Sequence, residues 1–589
     1  MMGRSGAAGS TVAAFVASLL LLSCTENGAE PPADAAGAHP LDAAVESFFE
    51  AWADFDYQTM DSFFTGDTRL GAHPLKAQIK GVLSDGAIEE FEASYEGDPT
   101  DGGEPSGDTA SFPYSVKLTS SAVDEPIEIE GTMEWKLDEF EDEWELAWEP
   151  SLMFPAHERA AHLEIETTWL KRGAILDRDG RKLAVGSVEG RRYPWGSVAG
   201  SVVGHIGPAS KDQAEAMDLV PGDLIGGSGL EEGLQEELAG RPNTELQVVD
   251  KKGKVLEALG RRKGTRGKNV KTTLDIEIQR AAENAYGATT GGAVVMHPET
   301  GDLLAIVSSS PFNPNGYVGS DVSPFNRALE GRYPPGSSMK VVTAAAALDT
   351  GTVTPQTQLN GPAEYQGVRN FESGEFGSLS FASAVQFSVN TAFAQVALDL
   401  GTDKLMRYAE LFGFNRVPEM PLAAAEPSFP EPVGAGDLMW ASIGQAQVLA
   451  TPLQMASVAA TIANGGERME PRITMLEDPV GERVVTKKTA STMTELMINV
   501  VVGGTGQAAR LSGIDVAGKT GTAEVDVDGE RKNHAWFICF APANEPSVAV
   551  AVVSEYGGVG GQVAAPLARQ ILSNTMLIIQ SDEFRAESN

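Results

Sequence analysis

Cysteine is almost missing from this chain: Cys24 and Cys539 are the only two in 589 residues. A disulfide framework is thereby excluded as the source of stability. Histidine is also scarce. Seven are widely scattered, so no His/Cys cluster has metal-ligand spacing, and neither a metal nor an organic cofactor is implied. Basic charge is short as well. Lys and Arg number 44 against 82 Asp and Glu, a formal net charge of -38; a phosphate backbone would repel that, which argues against nucleic acid as a partner. The acidic excess runs through the whole chain, as on a soluble acidic surface. Beyond the N-terminus no apolar run is long enough to span a bilayer. No G-x-G-x-x-G follows a strand and opens a helix, and no G-x-x-x-x-G-K-[ST] is present. There is no medium-length internal repeat. What remains is an ordinary globular composition, 42% hydrophobic and 21% charged, in a chain long enough for several domains.

The N-terminus reads as an export signal. Arg4 supplies positive charge, and Val12 to Leu22 form a short apolar stretch, too short for a membrane span. Leu21-Leu22-Ser23-Cys24 resembles a bacterial lipobox, which implies cleavage after residue 23 and a lipid on Cys24. Residues 24–40 lack apolar periodicity and read as a flexible tether. The expected place of the chain is the outer face of a bacterial cell membrane.

Three folded units are expected. Over 41–155, Val45, Phe48, Phe49, Trp52 and Phe55 recur at helical spacing, and alternating runs follow at Ile127–Glu130, Met133–Leu137 and Trp144–Trp148; helices followed by antiparallel strands predict a small α+β domain. Over 156–270, the Asp179-Gly180 pair marks a turn between two short strands. Lys251 to Lys271 is a basic island that reads as a solvated face, with anionic lipid or glycan phosphate as the sharper alternative. Over 271–589, apolar runs flank His297–Asp302 and again Asn544-Glu545-Pro546, predicting two buried hairpins. An Ala-rich helical stretch lies between them, and a closing helix spans Pro566 to Gln580. This predicts one antiparallel sheet beside a helical lobe. Cys539, in the apolar run 535–540, reads as a small buried hydrophobe.

Three short motifs fall in order within the last unit: Ser337-Ser338-Met339-Lys340, Ser388-Val389-Asn390 and Lys519-Thr520-Gly521-Thr522. Each alone is weak, and a lone Ser337 would read as a helix N-cap. Their order and context carry the signal. Pro334, Pro335 and Gly336 stop regular structure just before Ser337, so its hydroxyl lies near a helix N-terminus. Lys340 is one turn on, on the same face. A serine needs a base, and lysine serves if burial or a nearby cation lowers its pKa. Lys519 is taken as that fixed cation, on an edge strand where Gly521 lets another backbone approach.

The three motifs, with Arg172-Gly173-Ala174-Ile175-Leu176-Asp177-Arg178-Asp179-Gly180 and Gly226–Glu231, resemble those of class B penicillin-binding proteins. Scaffold strings at Ser442–Gln445, Thr451–Ala456, Gly504–Gly506 and His534–Phe537 are similar too. The 41–155 pattern resembles the nuclear-transport-factor-like domain of resistance-type members. The resemblance implies a multidomain α+β chain: that N-terminal domain, a pedestal or dimerisation domain over 156–270, and a β-lactamase-like transpeptidase domain over 271–589. It implies a D,D-transpeptidase that cross-links peptidoglycan stem peptides through a Ser337 acyl-enzyme, and that penicillins acylate. Ser337, Lys340, Ser388 and Lys519 would be catalytic. Asn390, Thr520, Gly521 and Thr522 would bind substrate, and the N–H groups of Ser337 and Thr522 would form an oxyanion hole. A separate glycan-polymerising partner is implied. His534 is given a structural role. A D,D-carboxypeptidase or β-lactamase is the alternative, although no E-x-x-L-N motif is present: Leu359-Asn360 has Gln356 in place of the Glu. A sensor or inactive scaffold fits the complete motif set less well.

Overall fold

The computed structural model describes residues 40–95, 108–148, 152–153, 162–217, 219, 222–250, 252–310, 312–319 and 324–588. Cys24, the export signal, nearly all of the tether and Lys251 lie outside the described residues. The chain divides into two compact units. One takes in the described residues up to Glu166 together with Glu245–Arg262; the other takes in Thr167–Thr244 and the residues from Lys263 onward.

In the first unit, helices Pro40–Ala53, Tyr57–Ser62 and Ala72–Asp85 precede a four-stranded sheet. Leu41, Val45, Phe48 and Trp52 fall on one helical face and are fully buried, as a 3.6-residue period requires. The strands Ile88–Tyr95, Thr109–Ser120, Ile127–Asp138 and Glu143–Leu146 pair antiparallel in chain order. The alternating runs at 127–130 and 133–137 prove to be one strand, Ile127–Asp138. Met133 and Trp135 point into the core while Glu134 and Lys136 point out, the period of two of a half-buried strand. A second sheet has the order Val255–Arg262, Asn243–Val249, His162–Thr168. Leu163, Leu246 and Val248 join the same core as Trp52 and Trp135. The stretch 156–270 therefore contributes to both units.

The second unit is built on a five-stranded antiparallel sheet. Its order is Leu303–Ser308, Gly291–Met296, Val548–Ser554, Glu530–Ala541, Ala517–Val527. Both expected hairpins are present. Its central strands read as unbroken apolar runs because both faces are covered. Phe537, Cys539 and Val550 pack with Ile278, Ile571 and Leu572 of the helices Ile276–Tyr286 and Ala564–Ser588. Trp536, Ile538 and Val553 face the opposite core, which contains Met455 and Val458 of the helix Pro452–Ala463. Among the described residues the Ala517–Val527 strand is the edge, paired only through the Glu530–Ala541 strand.

Beside the sheet, the Asp179-Gly180 turn joins strands Ile175–Leu176 and Lys182–Ala184. The two charged strings around Arg172 and Glu231 meet in one buried cluster. The Glu231 carboxylate accepts Arg172 Nε at 2.9 Å and Arg191 Nε at 2.6 Å, and Arg172 also donates to Gln235 Oε1 at 2.9 Å. No helix among the described residues is long and apolar enough to cross a membrane.

Candidate active site

The turn that carries Ser337 is held by close backbone approaches. Gly336–Met339 form a single 3-10 turn that runs directly into the helix Lys340–Asp349. Gly336 has φ +54°, and a Cβ there would lie 2.6 Å from the Thr522 carbonyl oxygen; only glycine fits both constraints. Its N–H donates to Gly444 O at 2.9 Å. Trp536 Nε1 donates to Pro334 O at 3.0 Å. Gly521 also lacks room for a side chain, since a Cβ would meet Pro335 O at 2.7 Å. The backbone brought close at Gly521 is thus this chain's own serine-bearing turn.

Ser337 opens onto a cavity of about 640 Å³. Ser388, Asn390, Thr520 and Thr522 also line it. Thr520 and Thr522 reach it from the edge strand by period-two alternation, with Glu524 next in the series. Thr520 Oγ1 shares a hydrogen bond with Thr505 Oγ1 at 2.6 Å, and Thr522 Oγ1 accepts Gly560 N–H at 3.3 Å.

Behind this wall the two lysines converge. Lys340 is 1% exposed and Lys519 is 0% exposed. Lys340 Nζ donates to Ser388 O at 2.7 Å and to Asn390 Oδ1 at 2.6 Å, with Ser388 Oγ at 3.2 Å. Lys519 Nζ donates to the same Ser388 Oγ at 2.9 Å and to Thr520 O at 2.9 Å. Ser388 occupies the left-handed region at φ +56°, between the helices Phe381–Gln386 and Asn390–Leu400. That sparsely populated conformation presents both its carbonyl and its hydroxyl to Lys340. Phe393 closes the far side, its ring centroid 5.2 Å from Lys340 Nζ.

Burial disfavours a charged amine. It pulls Lys340 well below the ordinary lysine value, and the positive charge of Lys519 adds to that. Burial also lowers Lys519, to about 7. The sequence expectation of Lys519 as a fixed cation is corrected here: the same interior location that places it beside Ser388 makes it a titrating group near neutrality.

Several lining groups carry no motif. Asn370 is buried between the loop 362–374 and the helix Asn390–Leu400. Its side chain donates to Pro362 O and Gly374 O, and accepts from Thr391 N–H at 3.1 Å. Arg369 O accepts Asn390 Nδ2 at 2.7 Å. An isolated Asn in a Gly-rich loop gave the sequence reading nothing to single out. Thr505 lies in one of the scaffold strings, and its contact with Thr520 depends on tertiary packing. His534 does not line the cavity; its ring packs on Tyr333 and Tyr556, and it accepts Tyr556 N–H at 3.3 Å. Among the described residues no group of three or more His, Cys, Asp or Glu could hold a metal ion.

Comparisons with known proteins place these features in a family. The family model of the penicillin binding protein transpeptidase domain matches residues 291–573. That of the penicillin-binding protein dimerisation domain matches 185–272, and that of the NTF2-like N-terminal transpeptidase domain matches 40–159. The peptidoglycan D,D-transpeptidase PbpA of Mycolicibacterium smegmatis is 38% identical over 357 residues, covering 52% of this chain and 72% of the relative. The peptidoglycan D,D-transpeptidase MrdA of Acinetobacter baumannii is 31% identical over 454 residues, 67% of each chain. The structure of penicillin-binding protein A from M. tuberculosis as its penicillin G acyl-enzyme complex aligns with a TM-score of 0.56 at 30% identity, covering 69% of this chain and 99% of that one. The chain therefore belongs to the penicillin-binding proteins, and within them to the peptidoglycan D,D-transpeptidases of the serine type.

Proposed function

We propose that Ser337 is the acyl-accepting nucleophile of this transpeptidase and Lys340 its general base. The observation that carries the reading is the convergence of two buried amines on one hydroxyl, Ser388 Oγ, beside the cavity onto which Ser337 opens. Two protonated amines that close, away from water, repel strongly, which supports a neutral Lys340. The Ser337 oxygen attacks the penultimate D-Ala carbonyl of a stem peptide, and its proton passes to Lys340. The N–H groups of Ser337 and Thr522 receive the developing oxyanion. Collapse breaks the peptide bond, and the terminal D-Ala leaves as an amine after taking a proton through Ser388. An amine of a second stem then attacks the acyl carbon, forms the cross-link amide and returns the proton to Ser337. Asn390, Thr520 and Thr522 line the donor strand's path, and the Lys519 ammonium form with the two threonine hydroxyls suits its terminal carboxylate.

A penicillin presents a strained amide to the same oxygen, and the penicillin G acyl-enzyme of the M. tuberculosis relative supports that reaction here. Intact mass after incubation with benzylpenicillin, with peptide mapping, tests the assignment. One adduct on the peptide containing Ser337 is expected, absent in Ser337→Ala; an adduct on Ser388, or one surviving in Ser337→Ala, overturns it.

The chain works outside the cytoplasmic membrane, held there by a lipid on Cys24 and supplied with glycan by a separate polymerising enzyme. The lipobox-like string supports the anchor. Cys24→Ala is expected to lose the lipid mass and leave the membrane fraction.

A further inference from the structure

We propose that Asn370 is a positioning residue for the transpeptidase reaction: through the carbonyl of Arg369 it fixes the side-chain amide of Asn390 so that its oxygen, not its nitrogen, faces Lys340. The proposal rests on the assignment of Lys340 as the base.

A neutral lysine amine has two N–H donors and one lone pair. Here Ser388 O at 2.7 Å and Asn390 Oδ1 at 2.6 Å accept from Lys340. Both are carbonyl oxygens, which can only accept, so they engage both N–H groups. The third neighbour, Ser388 Oγ at 3.2 Å, is a hydroxyl that can donate as well as accept, so the lone pair is left to take a proton from a hydroxyl. Rotating the Asn390 amide by half a turn would reverse this. Its NH2 would face Lys340 and donate into the lone pair, and the amine would cease to be a base.

The amide is held in the productive sense by its other end. Asn390 Nδ2 donates to Arg369 O at 2.7 Å. A backbone carbonyl offers no proton, so the nitrogen must be the atom that faces it. The position of that carbonyl is set by the next residue. Asn370 Nδ2 donates to Pro362 O at 2.9 Å and to Gly374 O at 2.8 Å, drawing together the two ends of the loop. Asn370 Oδ1 accepts Thr391 N–H at 3.1 Å and Thr391 Oγ1 at 3.3 Å. Thr391 Oγ1 also reaches Pro362 O at 2.9 Å. The loop is thus pinned to the first turn of the helix that begins at Asn390, whose own N-cap, Val389, makes no side-chain cap bond. The loop does not hold this shape by itself: Glu372 and Ser373 both have positive φ, +53° and +57°. Asn370 is 5% exposed and Thr391 is 0% exposed, so water does not replace these bonds easily.

The test follows benzylpenicillin acylation of the full chain in single turnovers across pH. Charged groups around Lys340 are Lys519 from the edge strand, and at the cavity Glu364, Arg369 and Glu372 from the loop with Glu524 and Arg531 from the sheet hairpin; none is altered by the substitutions. For Asn370→Ala the maximal acylation rate is expected to fall about 10- to 100-fold, with the non-covalent affinity for benzylpenicillin held within about threefold. The acid limb of the rate profile is expected to move to lower pH, because a donor facing Lys340 favours its neutral form. A fraction of unfolded protein would lower the amplitude and leave the limb in place. Thr391→Val, isosteric and still bearing its N–H, is expected to shift both quantities in the same direction by less, and it decides the matter if Asn370→Ala does not fold. A folded variant that acylates at the wild-type rate with an unmoved limb overturns the proposal. Wild-type chain that takes no adduct at Ser337 would instead sink the assignment beneath it.

Discussion

A lysine side chain buried to 1% exposure or less cannot hold a proton as it does in water, and this chain buries two of them around one serine. The consequence reaches folding as well as chemistry. A lysine whose folded pKa lies below its unfolded value binds fewer protons folded than unfolded between the two. Stability therefore rises with pH across that window and is lost as pH falls through the folded value. For Lys519 the window runs from about 7 to the ordinary 10.5. Between pH 7 and 8.5, unfolding free energy from urea titrations is expected to climb more steeply in the wild type than in Lys519→Met, by up to ~1.4 kcal/mol per pH unit. Equal slopes would mean that Lys519 stays charged in the fold. The identities of Ser337, Lys340, Ser388, Asn390 and Lys519 were readable as motifs. The state of the second amine was not, because a pKa depends on depth and depth is not a local property of sequence.

At the scale of elements, the strings around Arg172 and Glu231 were visible as signatures without a task. Packing supplies one: two guanidinium groups and one carboxylate, all at most 1% exposed on their side chains, join the segment before the strand Ile175–Leu176 to the short helix Gly229–Gly233. Removing one member of a buried ionic group leaves uncompensated charge, which costs about 3–5 kcal/mol. Glu231→Gln is therefore expected to lower the unfolding free energy of the second unit by that order, read from its denaturant midpoint, while Glu467→Gln in the same unit, whose partner Arg483 is exposed, changes it by less than ~1 kcal/mol. Matching midpoints for the two variants would remove the cluster's structural role. Strand and hairpin positions were legible because alternation and turn residues are local signals. The single strand Ile127–Asp138 was read as two runs because Gly131 weakens the pattern, whereas the neighbouring strand Thr109–Ser120, with Tyr114 opposite Gly131, holds the backbone extended there.

For the molecule as a whole, among the described residues the first unit's core, with Phe48, Trp52, Trp135, Leu246 and Val248, shares no buried residue with the cores of the second. Separate cores unfold as separate cooperative units. Calorimetry is expected to resolve two transitions, and acylation by benzylpenicillin to shift only the one belonging to the second unit, since the acylated state is specific to its fold. One transition moving as a whole would contradict this. Sequence alone determined the residue types of the site, the two hairpins, the α+β character and the acidic net charge, because each follows from neighbours in the chain or from summed charge. Tertiary structure decided the rest. It brought Lys340, Ser388 and Lys519 to one hydroxyl, put Pro335 against Gly521, and enlisted Glu245–Arg262 into the first core. It also gave the Asn370 side chain its four hydrogen bonds. Contacts between residues far apart in sequence depend on how complementary surfaces pack, and no window along the chain contains that information.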